Sequence, residues 1–242
     1  MKGLKLLSIN LVVILGLLAS VTLAGAVPPH TTLTPDQAFT QLQMGNAQFV
    51  KGRVLHLTAQ SQPAVRISSG TIGQGPYAVV LGCIDSRVPP EIIFDRGLNE
   101  VFSVRVAGNV IAPHEIGSIE YAVEHVEVPL IVILGHSKCG AVTSSVDYYL
   151  LNGNTPLAVP TPGFGYISSL INSLLPPIDT VYTSGIHARD PLIEASITEN
   201  VKQVAESLRA QSVIIEELIT LGKVKIVKGK YDVVTGVVTW IP

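Results

Sequence analysis

Two short stretches of the chain carry the side chains whose types and spacing could do chemistry. The first contains Cys83, Asp85 and Arg87, and the second contains His136 and Cys139. Cysteine sulfur and histidine nitrogen are preferred ligands of zinc, and three such ligands leave the fourth position of a tetrahedral shell open. An open position is typical of catalytic rather than structural zinc sites. The sequence therefore predicts a zinc site formed by Cys83, His136 and Cys139.

The Asp85 carboxylate has two alternative places at this site. It could be a fourth zinc ligand and so close the shell. Alternatively, Arg87 could hold it aside in a bidentate ion pair and leave the fourth position to water. Two thiolates and one neutral imidazole already cancel the charge of Zn²⁺, so the water is polarised less than in a site of three imidazoles. We therefore expect a water of higher pKa and activity that favours alkaline conditions.

Both stretches follow apolar runs that predict buried strands, at residues 77–82 and 129–135. Ligands of open α/β sheets bind at the carboxyl ends of such strands. Apolar runs alternate with helical patterns along the chain, which predicts an α/β fold: a mostly parallel central sheet flanked by helices, with a C-terminal strand hairpin. Strands are predicted at 76–82, 100–106, 129–135 and 224–227, and a hairpin is predicted at 230–241. Helices are predicted at about 34–51 (an N-terminal arm reaching 52), 89–94, 113–126, 138–150, 166–175, 190–210 and 212–221. Residues 52–75 are predicted to form a surface connection.

The N-terminus has the three parts of a secretory signal peptide. A positively charged start is followed by an apolar run over residues 6–18 and a small-x-small cleavage site at residues 24–26. The apolar run is short for a membrane anchor, which is the alternative. We therefore expect residues 1–26 to be removed and residues 27–242 to form a single domain. The mature protein would be exported, periplasmic or secreted, with no stable membrane span after cleavage.

Composition narrows the classes of partner. The chain has 16 Lys and Arg against 18 Asp and Glu and no basic cluster, so nothing favours nucleic acid. It lacks the glycine-rich motifs that bind nucleotide phosphates after a strand. Its two cysteines could form a disulfide in an oxidising compartment. A bound metal would instead hold both as thiolates and suppress oxidation.

Taken together, the two stretches resemble the β-class carbonic anhydrases. The resemblance rests on Cys-x-Asp-x-Arg followed by His-x-x-Cys, and it covers most of the mature chain. It implies a β-carbonic-anhydrase-like fold, one Zn²⁺ per chain, and reversible hydration of carbon dioxide to bicarbonate and a proton by zinc-bound hydroxide. It also implies a homodimer or a higher multiple of dimers. The most similar segments are residues 83–91, 104–109, 120–123 and 135–140.

The same resemblance assigns roles to residues. It implies Cys83, His136 and Cys139 as zinc ligands and Asp85 with Arg87 as the catalytic dyad, with Asp85 as a fourth ligand in a closed state of some members. Two other functions stay open: a related zinc hydrolase of carbonyl sulfide or carbon disulfide, and an exported zinc-binding protein without catalysis. The resemblance implies that Gln74, Phe102 and Tyr121 line a substrate pocket near the dimer interface and that Gly108 lies in the loop beside this pocket.

Overall fold

The computed structural model describes residues 31–242, so the predicted signal peptide lies outside the described residues. Across the sheet the order is second, first, third, fourth and fifth strand. All neighbours are parallel except the last two, which are antiparallel. The predicted mostly parallel sheet with a C-terminal hairpin is confirmed. The strands are β1 (Ala78–Gly82), β2 (Val101–Arg105), β3 (Leu130–His136), β4 (Lys225–Tyr231) and β5 (Val238–Ile241).

Nine α-helices lie within residues 31–242 and flank this sheet. None of them combines the length and the apolar character needed to cross a membrane. A 3₁₀ turn spans Ala107–Asn109, and a π-helical turn spans Tyr121–His125. The helices are α1 (Pro35–Val50), α2 (Leu55–Ala59), α3 (Pro63–Ile72), α4 (Pro90–Ile93), α5 (Pro113–Glu120), α6 (Gly140–Asn152), α7 (Ile167–Thr183), α8 (Arg189–Gln211) and α9 (Val213–Thr220).

The central strands β1 and β3 are buried on both faces, as expected of parallel strands covered by helices. Successive strand residues point to opposite faces of a sheet. On one face, Val80 and Val132 share an apolar layer with α1, α6 and α7, and Cys83 and Cys139 belong to this layer. On the other face, Val79 shares a layer with α5 and α9. Helix α8 contributes residues to both layers.

Helix α1 begins as the sequence predicts. The Thr34 side chain accepts a hydrogen bond from the Gln37 N–H, and the Gln37 side chain accepts one from the Thr34 N–H. This reciprocal capping box satisfies two donors that a helix start leaves without partners. The predicted N-terminal helix is therefore present, with its last helical residue at Val50.

The prediction of a long surface connection over residues 52–75 is wrong. Helices α2 and α3 occupy most of it, and neither contains a buried residue. The prediction relied on a composition rich in Ser, Gln, Gly and Thr, which is typical of a connection but does not exclude a helix. The polar composition of this region therefore led to the prediction of a connection where two surface helices are present.

Two further boundaries differ from the prediction. Helix α7 continues past the predicted end at residue 175, through Pro176 and Pro177, because Ile178 and Val181 extend its buried apolar face. The fourth strand and the first strand of the predicted hairpin are one continuous strand, β4, which pairs with β3 on one side and with β5 on the other. The break expected between them at residues 228–229 does not exist.

Candidate metal centre and active site

The three predicted metal ligands meet at the carboxyl ends of β1 and β3. Cys83 directly follows β1, His136 is the last residue of β3, and Cys139 is the residue before α6. Because β1 and β3 are neighbouring parallel strands, their ends adjoin at one edge of the sheet. One sulfur or nitrogen atom from each residue lies within 4.8 Å of the others, and all three residues are buried. Within residues 31–242, this is the group that can hold a metal ion.

The donor set fits zinc. The Nε2 atom of His136 is buried and has no hydrogen-bond partner among residues 31–242, which is costly for a polar atom unless something else binds it. The other ring nitrogen, Nδ1, lies 2.9 Å from the Ser137 carbonyl oxygen. A proton on Nδ1 that is donated to this carbonyl leaves the lone pair of Nε2 directed at the group. Two cysteine sulfurs and one imidazole nitrogen are ligands that zinc prefers.

The two thiols are free and buried, and they form no disulfide bond. The neighbouring Cys139 thiol, and more weakly the His136 ring and nearby backbone N–H groups, lowers the pKa of Cys83 below its ordinary value against the effect of burial. The contact with Cys83, together with burial, raises the pKa of Cys139 above its ordinary value. A divalent cation held here by Cys83, His136 and Cys139 would allow both sulfurs to be thiolates.

Asp85 and Arg87 form a bidentate ion pair beside the metal ligands. Arg87 Nε donates to Asp85 Oδ1 at 2.9 Å, and Arg87 Nη2 donates to Oδ2 at 2.7 Å. These bonds, and a further one from the Arg87 backbone N–H, hold the pKa of Asp85 well below its usual range. Asp85 Oδ2 lies 4.0 Å from His136 Nε2. The carboxylate is therefore at the edge of the metal group, and its oxygens are engaged by Arg87.

The loop that carries Cys83 and Asp85 is fixed by contacts from the neighbouring strand. Arg105, the last residue of β2, donates from Nε to the Cys83 carbonyl at 2.9 Å and from Nη2 to the Asp85 carbonyl at 2.6 Å. One guanidinium thus holds the backbone on both sides of Ile84, whose own side chain is exposed. This loop is held by paired charge-assisted bonds rather than by its apolar side chain.

Gly108, which the resemblance predicts in the loop beside the substrate pocket, lies in contact with the metal ligand Cys83. Its N–H donates to Cys83 Sγ at 3.3 Å, and its carbonyl accepts a bond from Asn200 Nδ2 at 2.9 Å. Its φ is 71°, and a Cβ atom there would come within 3.1 Å of Leu174 and 3.3 Å of Ala141. The position therefore requires glycine both for its backbone conformation and for space.

The other three predicted pocket residues lie elsewhere. Phe102 packs in the apolar layer on the opposite face of the sheet from Cys83. It is three residues before Arg105 in β2, so about 10 Å of strand separates it from the metal-binding edge. Gln74 Nε2 lies 3.5 Å from Tyr121 Oη, and Phe102 and Tyr121 line a surface cavity of about 610 Å³. We call Gln74, Phe102 and Tyr121 the edge group, because they lie beside the edge strand β2.

Comparisons with known proteins agree with this geometry. Residues 78–238 match the model of a protein family described as carbonic anhydrase. A carbonic anhydrase of Mycolicibacterium smegmatis is 39% identical over 202 residues, which are 84% of this chain and 91% of that protein. The chain belongs to the carbonic anhydrase family. The resemblance noted from the two stretches is thereby confirmed.

Solved structures place the fold in the β class of this family. A β-carbonic anhydrase of Aspergillus fumigatus has a TM-score of 0.62 and 25% identity, over 81% of this chain and 89% of that one. One of two tetrameric β-carbonic anhydrases of Sordaria macrospora has a TM-score of 0.56 at 23% identity, over 85% and 97%, and shows the fold. Enzymes of the β class are zinc-dependent, and the group of Cys83, His136 and Cys139 suits that metal.

Two residues that hold the backbone of this carbonic anhydrase site, Arg105 and Asn200, are not among the site residues predicted from the sequence. Arg105 lies in residues 104–109, a segment on which the resemblance rests, so the sequence carried a signal for it. Asn200 had no such signal, because its contact with Gly108 depends on how α8 packs across the sheet.

Proposed function

We propose that this chain is a zinc-dependent carbonic anhydrase that interconverts carbon dioxide and bicarbonate. One observation carries the proposal: three buried ligand atoms of the type zinc prefers lie beside a carboxylate that a guanidinium holds in place. A purely structural zinc site would have four protein ligands. Here Asp85 is engaged by Arg87, which favours an open fourth position over a closed shell.

In this mechanism Cys83, His136 and Cys139 would hold the metal. When bound, zinc lowers the pKa of a coordinated water and so supplies a hydroxide nucleophile near neutral pH. Asp85 stays ionised, because the bonds from Arg87 keep its pKa low. An ionised carboxylate only accepts hydrogen bonds, so Asp85 would accept a hydrogen bond from the O–H of the nucleophile and so orient the nucleophile's lone pair towards carbon dioxide.

We further propose that a second copy of the chain completes the substrate pocket in a homodimer. Phe102 packs on the far face of the sheet from the metal ligands of its own copy, and the surface cavities that it shares with Tyr121 and with Gln74 contain none of these ligands. Strand β2 is the edge of the sheet, and the cavity beside it presents Phe102 and Tyr121 outwards. Apolar walls with one amide suit a small linear substrate such as carbon dioxide.

A substitution at Gly117 tests this dimer. Gly117 lines the cavity beside β2, and a Cβ atom there meets nothing within 4 Å in one copy. Gly117→Arg therefore fits the monomer, but it would block a second copy at this surface. We expect a monomer of low hydration activity that still holds zinc, measured by light scattering and metal analysis. Gly117→Ala is the matched control and should stay dimeric; a dimeric, active Gly117→Arg protein would exclude this interface.

The function itself is tested by stopped-flow hydration of carbon dioxide, with the zinc content of the same sample measured alongside. We expect one zinc per chain and activity that rises from neutral to alkaline pH, because two thiolates weaken the polarisation of bound water. Normal hydration in protein free of zinc would refute the proposal. Hydrolysis of carbonyl sulfide without hydration of carbon dioxide would replace it with the hydrolase function.

Export is a separate part of the proposal. We propose that residues 1–26 form a signal peptide and that the mature protein is periplasmic or secreted, a proposal supported by the charged start and apolar run of this segment. N-terminal sequencing of protein from the exported fraction should begin at Val27. Full-length protein that stays in the cytoplasmic fraction would contradict this proposal and leave the enzymatic one intact.

A further inference from the structure

We propose that Glu194, on α8, is a positioning residue of the metal centre: it holds the turn between the ligands His136 and Cys139. The proposal rests on the proposed function, because it concerns how that site retains zinc and orients its catalytic ion pair. Glu194 does not touch the ligand atoms themselves. It acts through the backbone of Lys138, the residue directly before Cys139.

The turn between the two ligands contains an unfavourable backbone conformation. Lys138 has a φ of 56°, in the left-handed region that residues with a Cβ atom rarely adopt. Such a conformation persists when the surrounding structure enforces it. The Lys138 N–H donates to Glu194 Oε1 at 3.3 Å. Glu194 therefore supplies a partner for a backbone donor at the residue that most needs to be held.

The Glu194 carboxylate is itself fixed by β4. Lys230 Nζ lies 2.6 Å from Glu194 Oε2, and it also donates to the Glu194 backbone carbonyl at 3.3 Å. Lys230 is paired in register with Gly135, which precedes His136 in β3. The support for the turn thus comes from the strand next to the ligand strand. A carboxylate held at both oxygens is a more precise acceptor than a free surface glutamate.

The same turn is linked to the catalytic ion pair. Arg87 Nη2, which binds Asp85, also donates to the Lys138 carbonyl at 3.3 Å. Lys138 is therefore held through its N–H by Glu194 and through its carbonyl by Arg87. A shift of this turn displaces both the backbone next to Cys139 and a partner of Arg87. Glu194 thus supports the metal ligands and the catalytic pair through one residue.

An exposed ion pair between α8 and α9 provides a control for a purely structural role of Glu194. Arg209 and Glu216 join α8 to α9 with Nε–Oε2 and Nη2–Oε1 distances of 2.7 and 2.8 Å. Glu216 is about as exposed as Glu194 but makes no contact with the ligand stretches among the described residues. Pairs of this kind contribute little to stability. Glu216→Ala is therefore the matched control for Glu194→Ala.

The test measures how fast the zinc-loaded enzyme loses its metal to a chelator. Removal of a side chain that supports a metal ligand without binding the metal commonly lowers metal affinity or activity by about 10- to 100-fold. We expect Glu194→Ala to lose zinc about 10-fold faster than the wild type. Glu194→Gln keeps an oxygen that can accept from Lys138 and should restore most of the retention. Zinc retention in Lys230→Met should lie between that of Glu194→Ala and that of Glu194→Gln. Zinc retention in Glu216→Ala should match that of the wild type.

The absorption of the cobalt-substituted protein provides a second readout, because its thiolate-to-metal bands respond to ligand geometry. We expect altered bands in Glu194→Ala and unchanged bands in Glu216→Ala. Wild-type zinc retention and bands in folded Glu194→Ala would overturn the proposal. If Glu194→Ala does not fold, wild-type zinc retention in Lys230→Met would overturn it. Neither readout depends on hydration, so a failure of the proposed function is recognised separately.

Discussion

The metal centre and the edge group differ in how completely one copy of the chain builds them. Cys83, His136 and Cys139 converge within one chain at the ends of two adjacent buried strands. Phe102 and Tyr121 lie beside an edge strand, where one side of their cavity is open to solvent. A deeply buried strand end can fix metal ligands unaided, whereas a shallow edge needs a second surface to exclude water. We infer that zinc binding belongs to the single chain and substrate binding to the dimer.

Removal of a metal ligand should have the largest effect. Cys83→Ser replaces a thiolate with a hydroxyl that zinc binds poorly, so the protein should lose its zinc. Because enzymes accelerate their reactions by about 10⁶-fold or more, we expect hydration to fall by at least about 10⁴-fold. Metal analysis and stopped-flow assays measure both changes. Retained activity in zinc-free Cys83→Ser protein would show that the metal centre is not the catalytic site.

Loss of the oriented carboxylate should cost less and leave the metal in place. Asp85→Asn keeps the shape of the side chain but removes the ionised acceptor, and we expect kcat/KM to fall by about 10²- to 10⁴-fold with zinc retained. Asp147 is a matched control, because Arg189 also binds it in a bidentate pair, at 2.6 and 2.8 Å. Asp147→Asn should keep full activity. Zinc loss in Asp85→Asn would instead identify Asp85 as a ligand.

Substitutions in the edge group should lower the hydration activity without changing the zinc content. Gln74→Ala combined with Tyr121→Ala removes two exposed side chains that contact each other. We expect about a 10-fold loss of kcat/KM with full zinc content, since a missing pocket contact is worth about 1–3 kcal/mol. Kinetics and metal analysis on the same sample test this prediction. Zinc loss in this variant would contradict the separation of the two regions.

The smallest effect is expected at Ile84, which lies between the metal ligand and the catalytic carboxylate. Its side chain is 60% exposed, and its neighbours are held through their carbonyls by Arg105. Ile84→Ser should therefore leave zinc content and kcat unchanged and alter the free energy of unfolding by no more than about 0.5 kcal/mol. Urea denaturation and stopped-flow assays measure these quantities. A marked loss of activity would mean that this side chain orders the loop.

The metal centre could be predicted from the sequence because each ligand follows an apolar run or lies at its end. Strand ends of a parallel sheet share one edge, so residues far apart in sequence meet there without any detail of packing. Cys83 and His136 needed only this argument. The structure then shows that both side chains are buried and that His136 Nε2 has no hydrogen-bond partner among the described residues.

Contacts that depend on packing could not be predicted in this way. The bonds from Arg105 to the ligand loop require the register of β2 against β1. Those of Glu194 and Asn200 require the placement of α8 across the sheet. Helices α2 and α3 bury no residue, and they were missed because the polar composition of residues 52–75 is typical of a connection.

Mixing two defective chains tests the division between metal centre and edge group most directly. One chain carries Cys83→Ser, and the other carries Gln74→Ala with Tyr121→Ala. If the edge group serves the partner's metal centre, each hybrid dimer regains one intact site. Random pairing makes half of the dimers hybrids, so the mixture should gain about a quarter of the wild-type rate above its residual activity. Activity no greater than the average of the two separate proteins would contradict the account.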